Sequence, residues 1–240
     1  MKSLPSLPSL SRELARVGRR FYDRGWVLGT SGNFSAVVRR NPLRLAITAS
    51  AMDKGALRSD HILEVDETGE LVAHRPRRTG GRPRKTGSRV SNRSPFEPSA
   101  ETLLHLEIVH RRGANAVLHT HSVWATMLSD VHAPRGGLVL QGYEMLKGLK
   151  GVSTHDHREW IPIVKNDQDM TRLAGRVAAA LDGDRGAHAI LLQRHGLYTW
   201  GESLEDAVRH VEILEFLFET IGRTAAYGIQ EVENGAPQNP

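Results

Sequence analysis

The 240-residue chain contains no cysteine, which excludes disulfide staples, thiolate metal sites and cysteine nucleophiles together. Any tightly held metal must then rest on His, Asp or Glu. The chain also lacks a run of about 18 consecutive apolar residues, the least that a membrane span needs. Its N-terminus carries Pro5, Ser6, Pro8 and Ser9 where a secretory signal would hold its apolar core. It reads as a complete cytoplasmic protein. No internal repeat is present. With 39% hydrophobic and 25% charged residues, the composition is that of a folded globular body, not of a collagen, a mucin or a disordered tail.

One stretch lacks acid. Between Arg75 and Arg93 eight cationic side chains stand with no Asp or Glu among them. Because the whole chain nets +5, the remainder is net acidic by three charges. The stretch is full of Gly, Pro, Ser and Thr, so it reads as a basic flexible insertion at about 75–95 in a single domain. An electrostatic lure for a polyanion is the alternative. No aromatic residue between Arg75 and Ser94 supplies the stacking that single-strand binders use, and nucleic acid is not an expected partner.

Periodicity predicts a helix from Ser11 to Asp23, with Leu14, Val17 and Phe21 on one face and Gly25 near its end. Phe34 to Val38 and Leu43 to Thr48 flank the turn signal Asn41-Pro42 and predict a hairpin; Ile62 to Asp66 and Glu70 to Ala73 predict another. Ser99 is placed to cap a helix that ends near Gly113. Ala116 to Leu118 reads as a buried strand, Val123 to Leu128 as a short helix, and Thr171 to Leu181 as a longer one. The stretch from Gly136 to Lys165 carries no clear pattern. Ala189 to Leu192 and Tyr198 to Trp200 read as strands, and Ser203 opens a final helix with Asp206 three residues on, a capping-box spacing. Helices and short strands alternate without a regular βαβ period, which argues for a mainly antiparallel sheet covered by helices.

The candidate chemistry lies at strand ends. His119-x-His121 follows a predicted strand, where alternate side chains share a face and two imidazoles can meet one ion. His195 ends a second buried strand, and three histidines with an open position form a catalytic divalent site, zinc being the expected metal. His155 and His157 stand in a polar stretch with Asp156, Arg158 and Glu159 and read as loop surface. The segments Gly29 to Ser35 and Thr48 to Ala51 are rich in small and hydroxyl residues suited to cradle an anion. Neither is a Walker loop or a dinucleotide fingerprint.

These residues carry a resemblance. Gly-Asn-x-Ser at 32–35, Ile-Thr-x-Ser at 47–50 and Pro-Ser-x-Glu-x-x-x-His at 98–105 stand in order before Ala-Val-x-His-Thr-His-Ser at 116–122 and Arg-His-Gly-x-x-x-x-Gly-x-Ser at 194–203. This pattern resembles the zinc-dependent class II aldolase/adducin family across nearly the whole chain. The resemblance implies an α/β/α layered domain around a mainly antiparallel sheet, assembled as a homotetramer with active sites near subunit interfaces. It implies one zinc per subunit on His119, His121 and His195. Glu101 holds the place where the family's sugar-phosphate aldolases keep an acid/base glutamate. The block from Gln141 to Gly148, with Glu144 inside it, resembles the family's dehydratases instead, which implies Glu144 as general acid/base and Glu101 as a metal-proximal or pocket-lining group.

By the same resemblance a phosphate site would draw on Asn33, Ser50, Ala51 and Ser99. Two positions depart from the family pattern. Ala51 replaces a common glycine and restricts positive φ, and Ala100 replaces a serine and removes a donor. The expected activity is loss of water from a phosphorylated sugar. A sugar-phosphate aldolase or epimerase is the alternative that Glu101 supports, and a non-catalytic adducin-like scaffold is a third, which the presence of all three histidines opposes.

Overall fold

The computed structural model describes residues 4–72 and 94–227. The basic insertion therefore lies almost wholly outside the described residues. Helix α1 spans Leu7–Asp23, four residues longer than its apolar period predicts, because Ser6 stands at the N-cap and a proline is tolerated in the first turn. It buries Leu10, Leu14, Val17 and Phe21 along one face. Strands β1 (Asn33–Arg40) and β2 (Leu43–Thr48) form the expected antiparallel hairpin. β3 (Ile62–Asp66) pairs with β2. The arm predicted from Glu70 is no strand over its described residues. It makes one bridge, Val65 to Leu71, because the Asp66 carboxylate turns the chain by accepting the backbone N–H of Thr68 at 2.9 Å and of Glu70 at 3.1 Å.

Helix α2 is Thr102–Arg112, closed by Gly113 at φ +61°. Its cap position is held by Glu101, not Ser99; the Ser99 hydroxyl serves the turn before it, accepting the Glu101 N–H at 3.3 Å. β4 (Ala116–Thr120) leads into α3 (Val123–Val131), where the Ser122 hydroxyl accepts the Ala125 N–H. The patternless middle resolves into β5 (Gly137–Leu140), a 3-10 turn Glu144–Gly148 and β6 (Glu159–Val164). These pieces are too short for periodicity to reveal. Helix α4 (Met170–Gly183), β7 (Ala189–Leu192), β8 (Gly196–Gly201) and α5 (Leu204–Ala226) complete the order. At α5 the hydroxyl half of the capping box forms, Asp206 N–H to Ser203 at 3.0 Å, whereas the Asp206 carboxylate binds Arg209 at 2.8 Å.

The eight strands form one sheet in the order β3-β2-β1-β4-β8-β7-β6-β5, in which only β6 and β7 run parallel. Alternation decides what each face buries. Val117, Ile190, Leu192 and Trp200 join the core under α2 and α4. Ala116 and Leu118 pack beneath α1 and the start of α5, and Ala189, Leu191 and Leu197 pack beneath α3 and the rest of α5. The expected α/β/α layering is thus observed. Among the described residues no helix is long and apolar enough to cross a membrane.

Candidate active site

Three strand ends converge where β1, β4 and β8 run side by side. The register sets Asn33 against His119 and His119 against Tyr198. His121 lies just past β4, its N–H held by the Trp26 carbonyl at 2.8 Å. His195 sits in the tight turn between β7 and β8, which α3 fastens: Thr126 donates to the His195 carbonyl at 3.1 Å and Ser129 accepts the Arg194 N–H at 2.9 Å. Gly196 is required in that turn, since a Cβ there would stand 2.0 Å from the Thr120 carbonyl oxygen. Gly32, at φ +72°, also passes close to the sheet, since a Cβ there would stand 2.7 Å from the His119 carbonyl oxygen.

The three imidazoles meet edge to edge. His121 Nε2 lies 2.7 Å from His119 Nε2, and His195 Nε2 lies 3.1 Å and 3.3 Å from the other two. His119 gives its Nδ1 hydrogen to the Leu197 carbonyl at 2.8 Å, which turns the Nε2 lone pair toward the cluster. Tyr198 backs this ring, stacked at 3.9 Å. All three are kept neutral. Burial drives His119 well below its ordinary value, with His121 and His195 adding to it; burial, then His195 and Lys54, takes His121 to about 3. Burial lowers His195 against the opposing pull of Glu101. Three neutral imidazoles whose Nε2 atoms face one point are the donor set of a divalent cation, so the residues fit the metal the spacing predicts.

Glu101 joins this cluster. Its carboxylate lies 3.4 Å from both His119 Nε2 and His195 Nε2. The helix starts beneath it, yet the side chain makes no cap bond and turns to the histidines. Asn33 explains why: its amide donates to Glu101 at 2.6 Å, while its oxygen is held by His105 Nε2. His105 is in turn joined through Nδ1 to the Ser35 hydroxyl at 2.7 Å, and full burial lowers it to about 3. Asn33 therefore orients Glu101 with one amide hydrogen and keeps the second, since a side-chain amide carries two.

The other cradle residues lie nearby. Ala51 adopts φ +57°, the left-handed conformation usually left to glycine, so the turn is kept although the glycine is not. Ser50 is exposed and Ser99 buried. No local pattern marks Lys54 as part of the site. It is 1% exposed, donates to the carbonyls of Thr30 at 3.1 Å and Met52 at 2.8 Å, and is lowered to about 8 by burial. An ammonium has three hydrogens, and two are used in these bonds.

Glu144 is not brought to the histidines of its own chain. His195 follows the C-terminal end of β7, and β6 runs parallel to β7, so Glu159 at the start of β6 lies at the other end. The pairing of Leu140 with Glu159 delivers the chain to Glu144 at that same far end. There Glu144 is exposed, paired with Lys147 and 3.9 Å from His155 Nδ1. His157 keeps to a loop and is part-exposed, but it is not free surface: it bonds the buried Glu159 at 2.7 Å.

Residues 12–221 match the model of the class II aldolase and adducin N-terminal domain. The chain is 43% identical over 219 residues to a methylthioribulose-1-phosphate dehydratase of Methylococcus capsulatus, covering 91% of this chain and 94% of that one. It is 38% identical to one of Sorangium cellulosum, covering 90% and 93%. Among solved structures, an L-fuculose-1-phosphate aldolase of Thermus thermophilus superposes with a TM-score of 0.66 at 24% identity, over 91% of this chain and 96% of that one.

Proposed function

Because this chain belongs to the class II aldolase and adducin family, we propose that it dehydrates methylthioribulose 1-phosphate to the 2,3-diketone, a step of methionine salvage. The observation that carries the reading is the agreement, along nine-tenths of both chains, with relatives that bear the dehydratase name. A lyase of this kind removes hydrogen from C3 and hydroxyl from C4, and the enol that remains tautomerises to the diketone. Atoms balance with water as the only other product.

In this reading His119, His121 and His195 hold one zinc ion per subunit, which supplies Lewis-acid polarisation of a substrate oxygen. The chain's own side chains do the rest. Glu144 is the general base that takes the C3 proton and the general acid that returns one to the departing C4 hydroxyl, a role typically worth about 10² to 10⁴-fold. Since its own histidines are at the other end of the sheet, Glu144 serves the histidines of a second copy, which fits a homotetramer with active sites at subunit interfaces. Asn33 fixes the Glu101 carboxylate beside the histidines, where it orients the polar end of the substrate. The phosphate is received by the turn at Ser50 and Ala51 and by the Ser99 hydroxyl. That hydroxyl accepts from Glu101 N–H and keeps its own hydrogen to donate. Lys54 adds positive charge behind the cradle.

The 3.4 Å approach of Glu101 to His119 and His195 favours one second reading, a sugar-phosphate aldolase or epimerase in which Glu101 carries the proton. The assay that decides is made on zinc-supplemented protein with methylthioribulose 1-phosphate, following the diketone, with His119→Ala as the control. Diketone formation that His119→Ala abolishes supports the dehydratase; an untouched substrate beside a cleaved ketose 1-phosphate supports the aldolase.

A further inference from the structure

A second cluster of histidines and carboxylate lies at the end of the sheet away from the three histidines. His157 Nε2 lies 2.7 Å and His188 Nδ1 3.0 Å from one oxygen of Glu159, Oε2. Two of the three groups around this point are already fastened by their other polar atom. Glu159 Oε1 accepts the His188 backbone N–H at 2.8 Å, and His188 Nε2 donates to the Lys150 carbonyl at 2.8 Å. A histidine that gives one ring N–H to a backbone carbonyl and turns the other nitrogen to a shared point has the outer-shell arrangement of a metal ligand.

That tautomer sets the chemistry. With its hydrogen on Nε2, His188 points the Nδ1 lone pair at a carboxylate oxygen 3.0 Å away, and two lone pairs repel unless a cation or a second proton stands between them. The three donor atoms lie within 4.8 Å of one another. Their contacts of 2.7 and 3.0 Å fall in the range of 2.7 to 3.3 Å found among His119, His121 and His195. Zinc to nitrogen or oxygen distances of about 2.0–2.2 Å put tetrahedral ligands roughly 3.3 Å apart, so the two contacts to Glu159 Oε2 would each lengthen by a few tenths of an ångström around such an ion.

The scaffold and the access also suit an ion. Glu159 is the first residue of β6 and His188 stands just before β7, its neighbour, so two ligands are set by the sheet. The Thr199 hydroxyl fixes the His188 carbonyl at 2.7 Å. Glu159 is 2% exposed, whereas the His157 side chain is 32% exposed and leaves one side open to solvent and to a water ligand. Two imidazoles and one carboxylate are a borderline donor set that takes Zn²⁺, Co²⁺ or Ni²⁺ and has no preference for Mg²⁺ or Ca²⁺.

We propose that His157, Glu159 and His188 form a second divalent transition-metal site, which staples the start of β6 and of β7 to the segment at Lys150. The site needs nothing from the proposed reaction, and its test reads metal and not turnover. Full-length protein stripped with chelator is titrated with Zn²⁺, and with Co²⁺ to follow the visible bands of the bound ion, and bound metal is counted after gel filtration. Two equivalents per chain are expected for the wild type. One is expected for His157→Ala and for His188→Gln, and one for the double variant His119→Ala/His121→Ala. His157 is part-exposed, so its alanine variant should keep the fold, which circular dichroism checks.

Saturation of the wild type at one equivalent, with that one lost in the His119→Ala/His121→Ala protein, overturns the proposal and leaves Glu159 paired with a doubly protonated His188. A second equivalent that persists in both His157→Ala and His188→Gln also overturns it.

Discussion

Asn33 donates its amide to the Glu101 carboxylate at 2.6 Å, and through that bond a residue at the start of β1 sets the orientation of an acid at the start of α2. The sheet register then brings the pair to the histidines, because Asn33 stands directly across from His119. Replacing Asn33 by Ala should release Glu101 and leave His105 without its Nε2 partner, a loss of about 1–3 kcal/mol in stability for the unmet buried group. Thermal unfolding of Asn33→Ala against wild type measures it; an unchanged midpoint would contradict the role.

Glu144 and His195 lie at opposite ends of the sheet, so a site that uses both is built from two chains. Glu144→Gln and His119→Ala should each lose about 10²-fold or more of the activity alone. Co-expressed in equal amounts they should restore roughly a quarter of wild-type activity, since one pairing in four joins an intact acid to intact histidines. Activity no higher than the sum of the separate variants would show that Glu144 does not act across an interface.

Glu215 is fully buried under β4, accepts the Thr120 hydroxyl at 2.6 Å, and is pushed up by burial from 4.5 to about 7. Below pH 4.5 folded and unfolded chains both hold the proton and the group is neutral to stability. Between 4.5 and about 7 the unfolded chain gives it up while the fold keeps it, so stability falls as pH rises, by on the order of 3 kcal/mol in all, and stays reduced above that. Glu215→Gln keeps an acceptor for Thr120 and should flatten this slope, gaining most at pH 8. Denaturant unfolding at pH 5 and pH 8 checks the sign, and an equal slope in both proteins would be the wrong result.

Ala51 sits at φ +57°, a conformation that costs a residue with a Cβ about 1 kcal/mol. Ala51→Gly should therefore stabilise the protein by about 0.5–1 kcal/mol, against the usual direction for that change. A lowered melting temperature would show that the turn gains nothing from glycine.

Gly196 has the opposite constraint. A methyl group there would overlap the Thr120 carbonyl at 2.0 Å and press on the His119 ring, so Gly196→Ala must move the turn that carries His195. Displacement near 1 Å of a reacting group costs about 10²-fold, and activity should fall at least that far. Gly175 on α4 has nothing within 4 Å of its added Cβ, so Gly175→Ala serves as a control that should lose no activity.

Much of this was legible because strands and helices announce their faces. The β1 and β2 hairpin, the buried run into His119, and the Ser203 cap follow from alternation and local hydrogen bonding, which act within a few residues. His119, His121 and His195 stood out because a metal needs several imidazoles at strand ends. Lys54, His105 and Tyr198 did not, since each acquires its role from contacts made far along the chain. His157 read as surface because its neighbours are polar, and only the pairing of β6 with β7 brings it and Glu159 to His188. The position of Glu144 at the far end of the sheet depends on the one parallel pair, which no local pattern encodes.

The most direct test of the account follows both possible outcomes in one vessel: methylthioribulose 1-phosphate is given to zinc-loaded wild type, Glu144→Gln and Glu101→Gln, and diketone and carbon–carbon cleavage products are quantified together. Diketone without cleavage is expected from wild type, with a loss of about 10² to 10⁴-fold in Glu144→Gln. Cleavage products from wild type, or full turnover in Glu144→Gln beside none in Glu101→Gln, would contradict it.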